Sequence, residues 1–95
     1  MNDENEKILF AQRLALAMQV KGYQAKPSVL EREFNLRYQG KPMTLHGVRK
    51  WLVGEATPPN DKLLTLAQWL EVPPEELAFD KDMQKAIEQR EINWQ

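Results

Sequence analysis

Apolar residues recur along this chain at intervals of three and four, and the glycines and prolines fall between the periodic stretches rather than inside them. That spacing is the mark of amphipathic helices, so the pattern predicts an all-α protein. A first helix is expected from about Glu4 to Lys21, with Ile8, Leu9, Leu14, Ala15, Ala17 and Met18 as apolar positions and Gly22 just past its end. A second opens at Lys26-Pro27-Ser28, because proline is tolerated in a first turn where its missing N–H is not needed. Its apolar positions are Val29, Leu30, Phe34 and Leu36, and the breaker-rich Gln39-Gly40-Lys41-Pro42 ends it near Tyr38. Thr44 is a good N-cap for a short third helix, Leu45 to Val53, which Gly54 closes. After the rigid connector Thr57-Pro58-Pro59-Asn60, a fourth helix runs from about Asp61 to Leu70. Val72-Pro73-Pro74-Glu75-Glu76-Leu77 starts a fifth, with two acids at its positive end. A sixth helix past Asp80 would set Met83, Ile87 and Trp94 near one face.

Length bounds the organisation. Ninety-five residues and 11.1 kDa make one small domain, expected over 1–79, with a C-terminal helical tail over 80–95. The chain has no cysteine, which excludes a disulfide scaffold, a thiolate metal centre and a thiol nucleophile and favours a reducing, cytoplasmic setting. His46 is the one histidine, so an imidazole-rich metal site lacks ligands, and no cofactor is expected. The opening Met-Asn-Asp-Glu-Asn-Glu-Lys is acidic where a signal peptide is basic, and no apolar run approaches the roughly 18 residues of a membrane span.

Net charge is only −1, but it is unevenly laid out. Residues 1–7 carry −2, residues 8–54 carry +6 and residues 55–95 carry −5. Such a division suggests a surface for an acidic partner beside a part that avoids it.

The segment Met43-Thr44-Leu45-His46-Gly47-Val48-Arg49-Lys50-Trp51-Leu52-Val53-Gly54, then Pro58 or Pro59, then Leu63-Leu64-Thr65-Leu66-Ala67-Gln68-Trp69-Leu70-Glu71-Val72, resembles the Cro and phage-repressor (XRE-type) family of helix-turn-helix DNA-binding domains. In that family a Lys/Arg-Trp-x-x-Gly pattern commonly ends the recognition helix, a proline follows, and the next helix reads Leu-Ala-x-x-Leu-x-Val. The likeness covers about residues 8 to 79 and is strongest from Thr44 to Val72. It implies a five-helix, lambda-repressor-like domain whose third helix reads DNA. Two departures stand out. The stretch Asn35 to Pro42 carries about four residues more than the family's tight turn, Arg37 and Lys41 among them, which predicts an altered angle for the third helix. The family's small alanine in helix two also has no counterpart, Glu33 or Phe34 standing in its neighbourhood.

A helical wheel argues the same way independently. At 100° per residue, Thr44, Val48, Trp51 and Leu52 gather on one side of the third helix, while His46 and Lys50 lie opposite, with Arg49 and Val53 alongside. An α-helix fits the DNA major groove, where Arg or Lys donates to guanine O6 and N7. His46, Arg49 and Lys50 are therefore candidate base readers. Leu45 and His46 hold the N-terminal positions that point at base edges in the resembling family; Leu45 would either meet a thymine methyl or lie at the edge of the core. Gly47 in mid-helix suggests close approach of another backbone, from helix two or from DNA. Candidate phosphate contacts are Thr44, Ser28 near a helix N-terminus, and the flanking cations Lys26, Lys41 and Lys62. Trp51 and Trp69 fall at core positions, whereas Trp94 would fold back on helix one or join two copies.

Three classes of function compete at this point. The first is a sequence-specific regulator of transcription, a repressor reading a palindrome in double-stranded DNA as a homodimer. The second is a protein-interaction module such as an antitoxin, which binds a partner protein as well as its operator, with the acidic tail as partner surface. The third, an enzyme, finds no support: the chain has one histidine, no cysteine and no glycine-rich phosphate loop from which to build a catalytic pair.

Overall fold

The computed structural model describes residues 3–78, and side-chain surroundings from Asn5 onward. These residues form five helices and no strand: α1 Asp3–Val20, α2 Pro27–Arg37, α3 Leu45–Val53, α4 Asn60–Leu70 and α5 Pro74–Leu77. The 80–95 tail, with Met83, Ile87 and Trp94, lies outside the described residues. Among the described residues no helix is long and apolar enough to cross a membrane.

Each helix boundary has a local cause. Gly22, at φ +89°, takes the left-handed conformation that ends α1, and the Tyr23 N–H bonds back to the Met18 carbonyl. Pro27 stands in the first turn of α2, as expected. The Thr44 Oγ1 accepts the Gly47 N–H at 3.0 Å and caps α3. Gly54 ends it at φ +83°, with the Lys50 carbonyl accepting from Gly54 and from Glu55 at 2.9 Å. Helix α4 ends without a glycine: Glu71 itself adopts φ 57°, and an ion pair from its carboxylate to the Lys21 ammonium ties the close of α4 to the close of α1.

The core sits where the faces of all five helices meet. Phe10, Leu14 and Met18 come from α1, Leu30 and Phe34 from α2, Val48 and Trp51 from α3, Leu66 and Leu70 from α4, and Leu77 from α5. Removing each large side chain from water contributes about 1.5–3 kcal/mol before the entropy of ordering the chain is set against it. Phe34 is the hinge of the packing. It meets Trp51 edge-on at 5.4 Å between ring centroids and stacks on Tyr38 at 4.9 Å.

Some expected apolar positions are not buried. Leu36 is 73% exposed, because Phe34 and Leu30 already set the inward face of α2 and Leu36 follows Phe34 by 200°. In α1, Phe10 is buried while Ile8 and Leu9 are exposed. Trp51 and Trp69 are buried as expected; the Trp69 ring meets Tyr23 edge-on and carries the Arg37 guanidinium 5.4 Å from its centroid. Its Nε1 is buried without a hydrogen-bond partner among the described residues.

Candidate nucleic-acid interface

Helix α3 packs on α1 and α2 through Val48 and Trp51, and those two anchors decide what the rest of it offers to solvent. Leu45, His46, Arg49 and Val53 are exposed and occupy an arc of about 100° opposite them. Lys50 is half-buried at the margin of that arc rather than at its centre. Leu45 is 47% exposed, so the first residue of α3 stands on the surface beside His46.

The N-terminus of α3 is open on its outer side. Thr44 satisfies two of the first four N–H groups, its side chain taking Gly47 and its carbonyl taking Val48. The N–H groups of Leu45 and His46, in the first turn, have no acceptor within the helix itself, and they add to the positive end of the helix dipole. The Thr44 hydroxyl, accepting through its oxygen, retains a proton to donate outward.

Arg49 is the one residue of the outer arc with an ionic partner among the described residues. Its guanidinium lies 3.7 Å from the Glu55 carboxylate, and both side chains are about half exposed. A pair of that kind is worth about 0–1 kcal/mol, so it positions Arg49 without fixing it there. His46 and Lys50, and the flanking Lys26 and Lys41, take part in no ion pair among the described residues.

The long turn between α2 and α3 is an ordered connection. The Asn35 side chain clamps Met43 from both sides: its Nδ2 donates to the Met43 carbonyl at 2.9 Å, and its Oδ1 accepts the Met43 N–H at 2.9 Å. Between those two residues the chain folds against Tyr38, whose ring lies 2.7 Å from where a Cβ on Gly40 would sit. Tyr38 in turn donates its hydroxyl to the Asp61 carboxylate at 2.5 Å, and the Lys62 ammonium stands 5.3 Å from the ring centroid. This bond pushes the Tyr38 hydroxyl pKa up and holds the Asp61 carboxyl below its usual value. The turn bearing Lys41 is thus held to α2 at Asn35 and to the start of α4 at Asp61 and Lys62.

The remaining phosphate candidates lie apart from this group. Lys26 is the N-cap residue of α2 and Ser28 its second residue, both exposed. Seven residues of helix separate Ser28 from Asn35, about 10 Å along the axis. The structure therefore groups Thr44, Leu45, His46, Arg49 and Lys50 on one helix, sets Lys41 and Lys62 on the turn side, and leaves Lys26 and Ser28 at the far end of α2.

Of the two approaches the sequence suggested at Gly47, that of the helix-two backbone is not the one found. A Cβ there would stand 2.8 Å from the Met43 methyl and 3.2 Å from the Thr44 Oγ1, so the close neighbours are a side-chain end and the cap hydroxyl, not the backbone of α2. Asn35, Tyr38 and Glu55 were not singled out by sequence reasoning. Nothing in the local pattern marks Asn35 as a clamp, while Glu55, six residues after Arg49 across the glycine cap, could have been found by asking which acid follows a helix C-terminus. No protein-family model matches this chain, and comparisons with curated proteins and with solved structures likewise find no match.

Proposed function

We propose that this protein is a sequence-specific, double-stranded DNA-binding regulator of transcription, a phage-repressor-like helix-turn-helix protein that acts as a homodimer on a palindromic operator. The observation that carries the reading is the division of α3. Val48 and Trp51 lock one side into the core, and Leu45, His46 and Arg49 stand clear on the other with Lys50 at the margin. Nine residues of helix extend about 13 Å with a diameter of about 10–12 Å, which suits the major groove.

In this reading Arg49 leaves its weak pair with Glu55 and donates to guanine, Lys50 reaches a neighbouring base edge, His46 hydrogen-bonds a third, and Leu45 meets a thymine methyl. Thr44 donates its hydroxyl to a phosphate at the positive end of α3, and Lys41 and Lys62 contact backbone on the turn side. Lys26 and Ser28 reach phosphates at the start of α2.

The test is selection of bound duplexes from a random pool at roughly physiological salt, where purely electrostatic binding is suppressed. A palindromic motif is expected. Arg49→Ala or Lys50→Ala should then lose discrimination at one or two base pairs by about 1–3 kcal/mol each, and Lys41→Ala should weaken all sequences alike. Failure of well-folded protein to enrich any sequence would end this reading and turn attention to a protein partner.

A further inference from the structure

Helix α1 has two apolar faces, and the described fold covers one. Phe10, Leu14 and Met18 point into the core. Leu9, Leu16 and Val20 follow one another at seven and four residues, which places them within about 40° of arc and about 140° from the buried set. They are 46%, 61% and 74% exposed. Arg13, half-buried, lies on the same side between Leu9 and Leu16, so this face is three exposed aliphatic side chains around one cationic side chain whose methylene stem can pack with them.

The occupant is suggested by where the chain goes next. Helix α5 packs against α1, and Leu77 is buried at its end, so the polypeptide leaves the described fold beside α1. The seventeen residues that follow, 79–95, place Phe79, Met83, Ile87 and Trp94 at spacings of four, four and seven. On a helix these fall within about 80° of arc and extend about 22 Å, against about 16 Å from Leu9 to Val20 on α1. We infer that segment 79–95 docks its apolar side on the outer face of α1 in the same chain.

A second copy is the weaker occupant for a reason of area. One helix laid against its twin through three or four aliphatic side chains buries several hundred Å², well short of the roughly 1,200 Å² at which stable interfaces begin. A tethered segment does not need that much surface. It arrives at an effective concentration on the order of millimolar and forgoes most of the cost of bringing two molecules together. The inference does not rest on the DNA reading: the face lies on α1, and neither α3 nor the turn before it takes part.

The experiment uses the full chain. Hydrogen exchange of the amides over 82–94 should be slowed at least about tenfold relative to an unstructured peptide, the expected mark of local protection. Contacts between the Trp94 indole and the Leu16 and Val20 methyls should be visible by NMR, and they should be absent from the inter-chain signals of a mixture of labelled and unlabelled protein. Leu16→Glu should abolish the protection while leaving the helical content of α1 unchanged, because residue 16 is outside the core and glutamate is a good helix former. Trp94→Ala, a change outside the described residues, should do the same from the other side. Free exchange over 82–94 in the unmodified chain would overturn the inference. So would inter-chain contacts across Leu9, Leu16 and Val20, or a dimer that Leu16→Glu converts to an 11.1 kDa monomer, since a second copy would then be the occupant.

Discussion

Replacing Asn35 by alanine should loosen the turn that places α3, and the size of the effect follows from two bonds. The side chain donates to the Met43 carbonyl and accepts its N–H, each at 2.9 Å in a part-buried setting, which closes an eight-residue separation with backbone-like pairing. Each such bond contributes about 0.5–1.5 kcal/mol net, so losing both costs about 1–3 kcal/mol. Alanine returns about 0.5 kcal/mol through its better helix propensity, since residue 35 lies within α2. The expected loss is therefore about 1.5 kcal/mol, or a fall in Tm of about 6–12 °C for a domain of this size. Asn35→Asp separates the bonds from the volume: it keeps the shape and the acceptor but sets an anion against the Met43 carbonyl, so it should be at least as damaging as alanine. Urea denaturation followed by tryptophan fluorescence is the assay, with Trp51 and Trp69 buried as native-state reporters. If Asn35→Asp and Asn35→Ala both fall within about 0.5 kcal/mol of the unmodified protein, the clamp does not hold the turn and the reasoning fails.

Two further stability predictions are independent of that clamp. Gly54→Ala should be worse than Gly22→Ala, although both glycines have positive φ, +83° and +89°. Each pays about 1–2 kcal/mol for the left-handed backbone. Only at Gly54 would the new Cβ also press on Ile8, 3.3 Å from its Cγ1 and 3.4 Å from its Cα, while Gly22 faces open space; equal urea midpoints for the two variants would contradict the contact. Acid should also weaken the fold. Arg37, hydrogen-bonded to Glu33 at 2.9 Å, holds that carboxyl below its ordinary 4.5, and Lys21 does the same for Glu71. A depressed folded-state pKa gives stability that is present above the unfolded value and is lost as pH falls through the folded one. The urea midpoint should therefore decline from about pH 5 downward, and Arg37→Met should flatten that decline. A steeper decline in Arg37→Met would reverse the sign of the argument.

Much of the helical layout was legible because it is decided locally. Thr44, Gly54, Gly22 and Pro27 act through one or two backbone groups next to them, so the limits of α3 and the first turn of α2 fall where residue type puts them. The outer face of α3 was legible for a related reason. Nine residues with two large anchors leave few choices of inward side, and Val48 and Trp51 settle it. What escaped the sequence depends on partners far along the chain. Leu36 reads as apolar and helical, yet its burial depends on how Phe34 is already engaged by Trp51, seventeen residues away. Asn35 belongs to the same class, because its worth depends on Met43 returning to it after a turn of uncommon length.

Helix α1 shows why periodicity alone misplaced Ile8 and Leu9. With apolar residues on both sides, the pattern Ile8, Leu9, Phe10, Leu14, Leu16, Met18, Val20 does not choose an inward face, and the choice passes to whatever packs first. Gly54 lies against Ile8 at the near end, and the exposed Lys21–Glu71 pair joins the far end to α4 without fixing it. The rotation of α1 is set by the large side chains that the other helices bury, Phe10, Leu14 and Met18. Leu9, Leu16 and Val20 are left outward for the same reason, so an ambiguity in the sequence becomes an uncovered surface in the fold. A helix with one apolar face would have been read correctly and would have offered no such surface. The misreading and the interaction face thus have one physical origin.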